Sequence, residues 1–200
     1  MFIELAARDL ALREQLLKEG KLFGGYDPEM EALQIANGRI LQEHIEQHGW
    51  PEDEVESKAA WLVLAHAISM PKLQQSAVKL FNDNPSLVPT QMVAMLEDRV
   101  LVFLGKKQKY GTQFDWDEKG ELSPYPLDDP QNIDALRAAA GLNSLDQRTI
   151  ELREHAKLEG ETAMQDRDQY LLERLQWMMK VGWIDNINDV DPAYKPTFMR

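Results

Sequence analysis

The sequence predicts a mainly α-helical protein, a single helical bundle with one short β-hairpin near residues 112–125. Apolar side chains recur every three or four residues through most of the chain, which is the period of an amphipathic helix. Prolines, glycines and aspartates separate these stretches at positions where helices begin and end. One segment lacks the helical period and instead carries aromatic residues and threonine around a turn, as a hairpin does.

The first helix is expected over residues 3–19, where leucines recur among charges. Three glycines end it: Gly20, Gly24 and Gly25. A second helix begins at Asp27, which caps it, and Pro28, which suits the first helical position because that position needs no N–H donor. This second helix is expected to stop at Gly49.

A third helix opens at residues 51–54, whose acids suit the positive end of the helix dipole. Residues 59–70 are apolar on every side, which predicts that this helix is central and buried. Pro71 breaks or kinks it, and helix resumes to about Phe81. A fourth helix is expected over residues 89–104.

The second half of the chain starts with the hairpin, predicted as strands 112–116 and 121–125 around a turn at residues 117–120. A short helix is expected from Asp129 to near Gly141.

A long charged helix is then expected over residues 145–180, followed by a proline-containing tail that packs as an irregular strap. These elements predict a core domain over residues 1–145. Residues 146–200 would form a C-terminal helix and tail packed on that core.

Composition restricts the classes of function. The chain has 34 acidic and 22 basic residues, a net charge of −12, so it should repel nucleic acid and anionic lipid. Such a surface suits a basic protein partner or simply keeps the protein soluble. We expect no membrane span, because no run of eighteen apolar residues occurs. The N-terminus lacks signal-peptide features, and the absence of cysteine excludes disulfides and thiolate chemistry, so a cytoplasmic location is expected.

Several polar residues fall on helix faces that should be buried. At about 100° per residue, the apolar stripe of the second helix contains Asn37, His44 and His48. In the fourth helix Arg99 falls on the core side, whereas its neighbour Asp98 points the other way. His66 lies within the apolar stretch of the third helix.

Two interpretations of these inward polar groups remain open. Each can be a hydrogen-bonded core residue, or together they can line one wet pocket, which satisfies five donors and acceptors more easily than five separate sites. The i, i+4 spacing of His44 and His48 suits one metal ion, with His66 as a third ligand. The helix lacks the glutamate of a His-Glu-x-x-His motif, and we therefore assign no metal ligand, while a metal on these three histidines stays an alternative and the cofactor stays open.

A second polar group lies just after the Arg99 helix. The segment over residues 108–114 places two carboxamides, a phenol and a hydroxyl around one glycine; the side chains are those of Gln108, Tyr110, Thr112 and Gln113. Such groups orient a polar ligand through hydrogen bonds without adding charge. The alternative is a turn with polar edges that leads into the hairpin.

The same residues carry a family resemblance. Its features, in chain order, are Asn37 thirteen residues before Trp50 in Gly49-Trp50-Pro51, His66-Ala67, Leu73-Gln74, Asp98-Arg99, Gln108 with Tyr110-Gly111-Thr112-Gln113, and Arg137 before Gly141-Leu142. With these features, roughly residues 28–145 resemble the mostly bacterial family known as domain of unknown function 6624. The resemblance implies no established reaction. It implies that the polar residues belong together, and it adds Arg137 to the candidates.

The leading hypothesis is a pocket for a small polar or anionic molecule. Arg99 would bind the negative group, and the other ligand-binding candidates are Asn37, Gln108, Tyr110, Thr112, Gln113 and Arg137. His66, with His48, would transfer protons in a hydrolysis or group transfer, because imidazole titrates near neutral pH. Whether the protein is an enzyme or only a binding protein stays open.

The other hypothesis is an acidic interaction protein, an adaptor or an immunity-type inhibitor of a basic partner. The inward polar groups would then be structural, and the function would lie on the acidic surface and on the helix over residues 145–180, which could also form a homodimer.

Overall fold

Eight α-helices and one β-hairpin form in the residues that the structure, a computed structural model, describes: 1–21 and 26–200. The helices are α1 Phe2–Lys18, α2 Pro28–His48, α3 Glu54–His66, α4 Pro71–Asp83, α5 Thr90–Phe103, α6 Ile133–Ala139, α7 Leu145–Glu159 and α8 Arg167–Val181. The strands are β1 Phe114–Trp116 and β2 Leu122–Pro124. The predicted fold class, mainly helical with a hairpin, is confirmed.

The chain divides into two compact units, residues 1–88 and 89–200. The predicted domains, residues 1–145 and 146–200, stay a prediction. Gly24 and Gly25, two of the glycines expected to end the first helix, lie outside the described residues. Within the described ranges, no helix is both long enough and apolar enough to cross a membrane.

In the first unit, α1 and α2 pack against α3, and α4 follows α3. The core includes fully buried leucines from α2 and α3, together with Phe81 of α4, whose ring meets the edge of Trp50 at a centroid distance of 4.7 Å. Both predicted helix starts are present. The Asp27 carboxylate accepts hydrogen bonds from the first-turn N–H groups of α2, and Asp53 does the same for α3.

The third helix is shorter than predicted. It ends at His66, and α4 begins at Pro71, so residues 67–70 form a connector rather than a last helical turn. Pro71 disfavours helical geometry at the residue before it, and Met70 has φ −123° and ψ 70°. The N–H of Ile68 donates to the His66 carbonyl over 2.7 Å, which turns the chain sharply. His66 is therefore the last helical residue instead of a mid-helix one.

In the second unit, a loop leads from α5 into the hairpin, whose strands pair antiparallel with Phe114 opposite Pro124 and Trp116 opposite Leu122. The hairpin lies within the predicted range. Its turn is held by the Asp117 carboxylate, which accepts from the N–H groups of Lys119 and Glu121. Helix α7 packs against β2 and α6 against α7.

The predicted single helix over residues 145–180 is wrong, because α7 ends at Glu159 and α8 begins at Arg167. Gly160 has φ +71°, which side chains rarely adopt, and the N–H of Glu161 bonds back to the Ala156 carbonyl. This is a typical helix stop. Asp166 then caps α8 by accepting from the N–H of Gln169.

The tail contains three single 3-10 turns and packs within the second unit. Tyr194 is buried, its hydroxyl donates to the Lys106 carbonyl over 2.8 Å, and its ring stacks on Tyr125. The irregular strap predicted for this segment thus has defined anchors.

Candidate functional site

His66, a predicted proton-transfer residue, is half-exposed at the end of α3, and its Nδ1 lies 2.5 Å from Oδ2 of Asp9 on α1. Asp9 is only 2% exposed, whereas 30% of the His66 side chain is accessible. A carboxylate beside Nδ1 favours the tautomer that carries its proton there, which leaves Nε2 with a lone pair. The pair therefore has the form of a general base whose orientation is set by a buried acid.

Sequence reasoning missed Asp9, although a signal was present. Asp9 lies four residues after Leu5 and seven before Leu16, both buried, so it shares their face of α1. Its second oxygen, Oδ1, accepts from Nε2 of Gln34 over 3.1 Å. The side-chain oxygen Oε1 of Gln34 in turn accepts from the Tyr26 hydroxyl over 2.5 Å, and burial raises the pKa of Tyr26.

Asn37, a predicted ligand-binding residue, is buried as the helical wheel requires. Its amide donates to the Leu5 carbonyl over 3.2 Å, one turn of α1 before Asp9. Asn37 and His66 thus contact consecutive turns of the same helix.

Gly38 explains how the connector after His66 comes close to α2. A Cβ atom on Gly38 would lie 2.5 Å from Sδ of Met70 and 3.1 Å from Cβ of Ala67. Glycine inside a helix lowers stability by about 1 kcal/mol relative to alanine. The close packing that Gly38 allows between α2 and the connector offsets this loss. The contact helps to fix where α3 ends and therefore where His66 lies.

The expectation that His48 points inward is wrong, because it is exposed, and His44 is only half-buried. Ile40, which the helical period places on the same face as His44, is also 38% exposed, so this face is not the core side of α2. The buried residues of α2 are instead Met30, Gln34, Asn37, Gly38 and Leu41. The His44 and His48 rings contact each other at 5.1 Å. In the part of the chain that the structure describes, no three His, Cys, Asp or Glu side chains are grouped to hold a metal ion.

In the second unit, Asp98 is fully buried, so the prediction that it points away from the core is wrong. Its oxygens accept from the backbone N–H groups of Lys109 over 2.7 Å, Tyr110 over 3.0 Å and Thr112 over 2.9 Å, and from the Thr112 hydroxyl over 3.0 Å. Burial raises the pKa of Asp98, and these donors oppose the rise. The loop folds back over α5 and supplies what a buried carboxylate needs.

Arg99 is half-buried on α5, and burial lowers its pKa to about 10. Its Nε donates to Oε1 of Gln113 over 3.3 Å, and the Gln113 amide donates to the Thr112 hydroxyl over 3.1 Å. Arg99 is thereby linked through Gln113 and Thr112 to the Asp98 carboxylate. Three of the predicted ligand-binding residues meet here.

Gln108 and Arg137 hold the same loop by its backbone. The buried Gln108 amide donates to the carbonyls of Gln113 and Tyr125 and accepts from the N–H of Gln113. The buried Arg137 donates through Nη1 to the carbonyls of Tyr110 over 2.7 Å and Gly111 over 3.0 Å. These contacts are structural, and a role of either residue in ligand binding stays a prediction.

The predicted residues therefore form two groups, one in each unit. The first is the imidazole–carboxylate pair with Gln34 and Asn37; the second is the network of Asp98, Arg99 and the loop over residues 108–113. The first group can transfer a proton, and the second presents a guanidinium, an amide and a half-exposed phenol, Tyr110. That both groups serve one pocket stays a prediction.

Comparison with known proteins identifies a family. The model of a family described as "Family of unknown function (DUF6624)" matches residues 3–159. This range extends beyond residues 28–145 at both ends and includes Asp9. No curated protein and no solved structure matches the chain.

The substitution Asp98→Asn should lower the free energy of unfolding by about 3 kcal/mol. The carboxamide it introduces keeps one acceptor oxygen and replaces the other with an NH2 donor, so either the N–H groups of Lys109 and Tyr110 or the N–H and hydroxyl of Thr112 would lose their acceptor. Chemical denaturation measures the change. Asp128→Asn is the matched control, because Asp128 is exposed in the same unit. Equal stability of the two variants would contradict the role given to Asp98.

The substitution Gly38→Leu should lower the free energy of unfolding by about 2 kcal/mol or more, because no space is left between α2 and the connector. Ala36→Leu, at an exposed position of the same helix, is the control and should change stability little. The amide NMR signals of residues 66–70 should move only in the Gly38 variant. Unchanged signals there would show that Gly38 does not set the connector.

Proposed function

The chain belongs to the DUF6624 family, whose function is unknown, so we propose a function from the chain's own residues. The protein binds a small polar or anionic molecule and transforms it by hydrolysis or group transfer, with His66 as the proton-transfer group. One observation carries the proposal, the 2.5 Å contact between Nδ1 of His66 and the buried carboxylate of Asp9.

The proposed chemistry follows from the different surroundings of the two partners. Asp9 is held by Gln34 and shielded from water, so it can orient the imidazole. His66 is accessible enough to meet a substrate. Nε2 would take a proton from a water or hydroxyl nucleophile and return it to the leaving group.

Arg99 is proposed to bind the negative group of the ligand. Its guanidinium is half-buried, and loss of water around a guanidinium strengthens its attraction to a carboxylate or phosphate. Gln113 and Thr112 share its hydrogen-bond network, and Tyr110, Asn37, Gln108 and Arg137 complete the set of proposed ligand-binding residues. We propose a cytoplasmic location, in keeping with the absence of cysteine.

A second candidate function is binding of a basic protein, as an adaptor or inhibitor without catalysis. The surface of α7 favours it: Leu158 is 87% and Ile150 53% exposed on a helix of a chain with net charge −12. Exposed apolar side chains surrounded by charge are common at protein interfaces, including those of homodimers.

The tautomer of His66 tests the proton-transfer role without a known substrate. Nitrogen-15 NMR at a pH above the imidazole titration should show His66 protonated on Nδ1, and Asp9→Asn should weaken that preference, because the carboxamide can donate as well as accept. His155 is the internal control, since it lies 3.9 Å from Glu159 and its side chain is more exposed than that of His66. A His66 protonated on Nε2 in the parent protein would refute the role.

Ligand binding tests the proposal as a whole. Thermal unfolding against a panel of small carboxylates and phosphate esters should yield a ligand that stabilises the parent by about 2.7 kcal/mol at a hundred times its Kd. Arg99→Gln should weaken that ligand tenfold or more, whereas His66→Asn should keep binding and lose turnover. Arg39→Gln and His155→Asn, both exposed and without a proposed role, are the matched controls.

The opposite result would favour the interaction protein. If no compound stabilises the parent, and if substitution of Arg99, His66 or Gln113 only unfolds the protein, the polar groups are structural.

A further inference from the structure

A cavity of about 180 Å³ lies in the second unit, between the hairpin turn and the start of α8. It shares no residue with the candidates above. Trp116 of the hairpin and Tyr170 of α8 form aromatic parts of its lining, and Glu118, Gly120 and Gln165 on its lining are exposed to solvent. It is smaller than the roughly 300–1,000 Å³ of sites for drug-sized ligands, so its occupant would be a small metabolite.

Arg167 provides the lining with a guanidinium that forms no salt bridge with an acidic side chain of the described residues. Its Nε donates to the Trp116 carbonyl over 3.0 Å, but its buried Nη1 has no hydrogen-bond partner there. Buried arginine N–H groups normally have hydrogen-bond acceptors. This chain has more acidic than basic residues, so an acidic partner for Arg167 would not require an unusual composition. An acceptor from outside the chain would complete the arrangement.

The opposite charge also lines the cavity. Asp115, Asp117 and Glu118 contribute three carboxylates. Asp115 accepts from the Tyr125 hydroxyl over 2.5 Å and Asp117 from the Ser123 hydroxyl over 3.0 Å, while Glu118 pairs with Arg200. A simple anion would meet Arg167 but would be repelled by these acids, and a simple cation would leave Nη1 of Arg167 without an acceptor.

We propose that this cavity binds a small zwitterion of the α-amino acid type. Its carboxylate would pair with Arg167, and its ammonium group would face the carboxylates of Asp117 and Glu118. Trp116 and Tyr170 would contact its side chain and favour the cationic group through their ring faces. The proposal does not depend on His66 or Arg99.

The experiment titrates the full chain with glycine, L-alanine and L-leucine, each compared with its amide and with the carboxylic acid that lacks the amino group. Amide NMR signals and thermal unfolding are recorded at millimolar concentrations. At least one amino acid should shift the signals of Trp116, Gly120 and Ala163, with tenfold weaker binding of both single-charge analogues. Binding of no amino acid, or equal binding of an analogue, would overturn the proposal.

Two variants locate the binding. Arg167→Met should weaken the amino acid tenfold or more, because it removes the donor for the carboxylate. Arg148→Met is the control, since Arg148 lies on α7 and pairs with Glu151. Ala163→Leu should fill the cavity and abolish binding even if Arg167→Met does not fold. Unchanged affinity in the Ala163 variant would show that the cavity is not the site.

Discussion

The buried carboxylate of Asp98 is the constraint on which the architecture of the second unit's candidate site depends. A charge without water needs donors, and the loop supplies three backbone N–H groups and a hydroxyl. On the carbonyl side of the same loop, Arg137 donates to Tyr110 and Gly111. The peptide group between Gly111 and Thr112 contacts both charged side chains: its C=O accepts from Arg137, and its N–H donates to Asp98. The two buried charges therefore interact through an oriented peptide dipole, and this holds the loop that carries Gln113 against Arg99.

The first unit uses a buried acid in the same way. Asp9 accepts from Gln34 through one oxygen and contacts His66 through the other, so a residue of α1 joins α2 to the end of α3. Neither acid was identified from sequence as a buried residue. A carboxylate is expected in solvent unless its donors are known, and here the donors lie far along the chain: Thr112 is fourteen residues from Asp98, and His66 is fifty-seven from Asp9. Local periodicity contains no information about such partners.

Local signals did predict what local interactions determine. The cap at Asp27, the start of a helix within residues 51–54 and the hairpin turn over residues 117–120 depend on neighbouring residues, and the structure has all three, with Asp53 as the cap of the second of these helices. The grouping of Gln108, Thr112 and Gln113 also followed from a short segment. In contrast, the end of α7 rests on Gly160 within a charged stretch, where a glycine alone does not distinguish an interrupted helix from a continuous one. The exposure of His48 depends on which side of α2 meets other helices, and that is a tertiary property.

The burial of the acid, more than the presence of a histidine near it, distinguishes the His66 pair. His155 and Glu159 are also an imidazole and a carboxylate one helical turn apart, but their contact is 3.9 Å and 65% of the His155 side chain is exposed. Water screens that pair, so the contact adds little. At His66 the acid is inaccessible while part of the imidazole reaches solvent, so one ring nitrogen is fixed by a buried partner and the side chain stays accessible. An imidazole needed only for packing would gain nothing from this asymmetry, because partial exposure of the ring sacrifices burial.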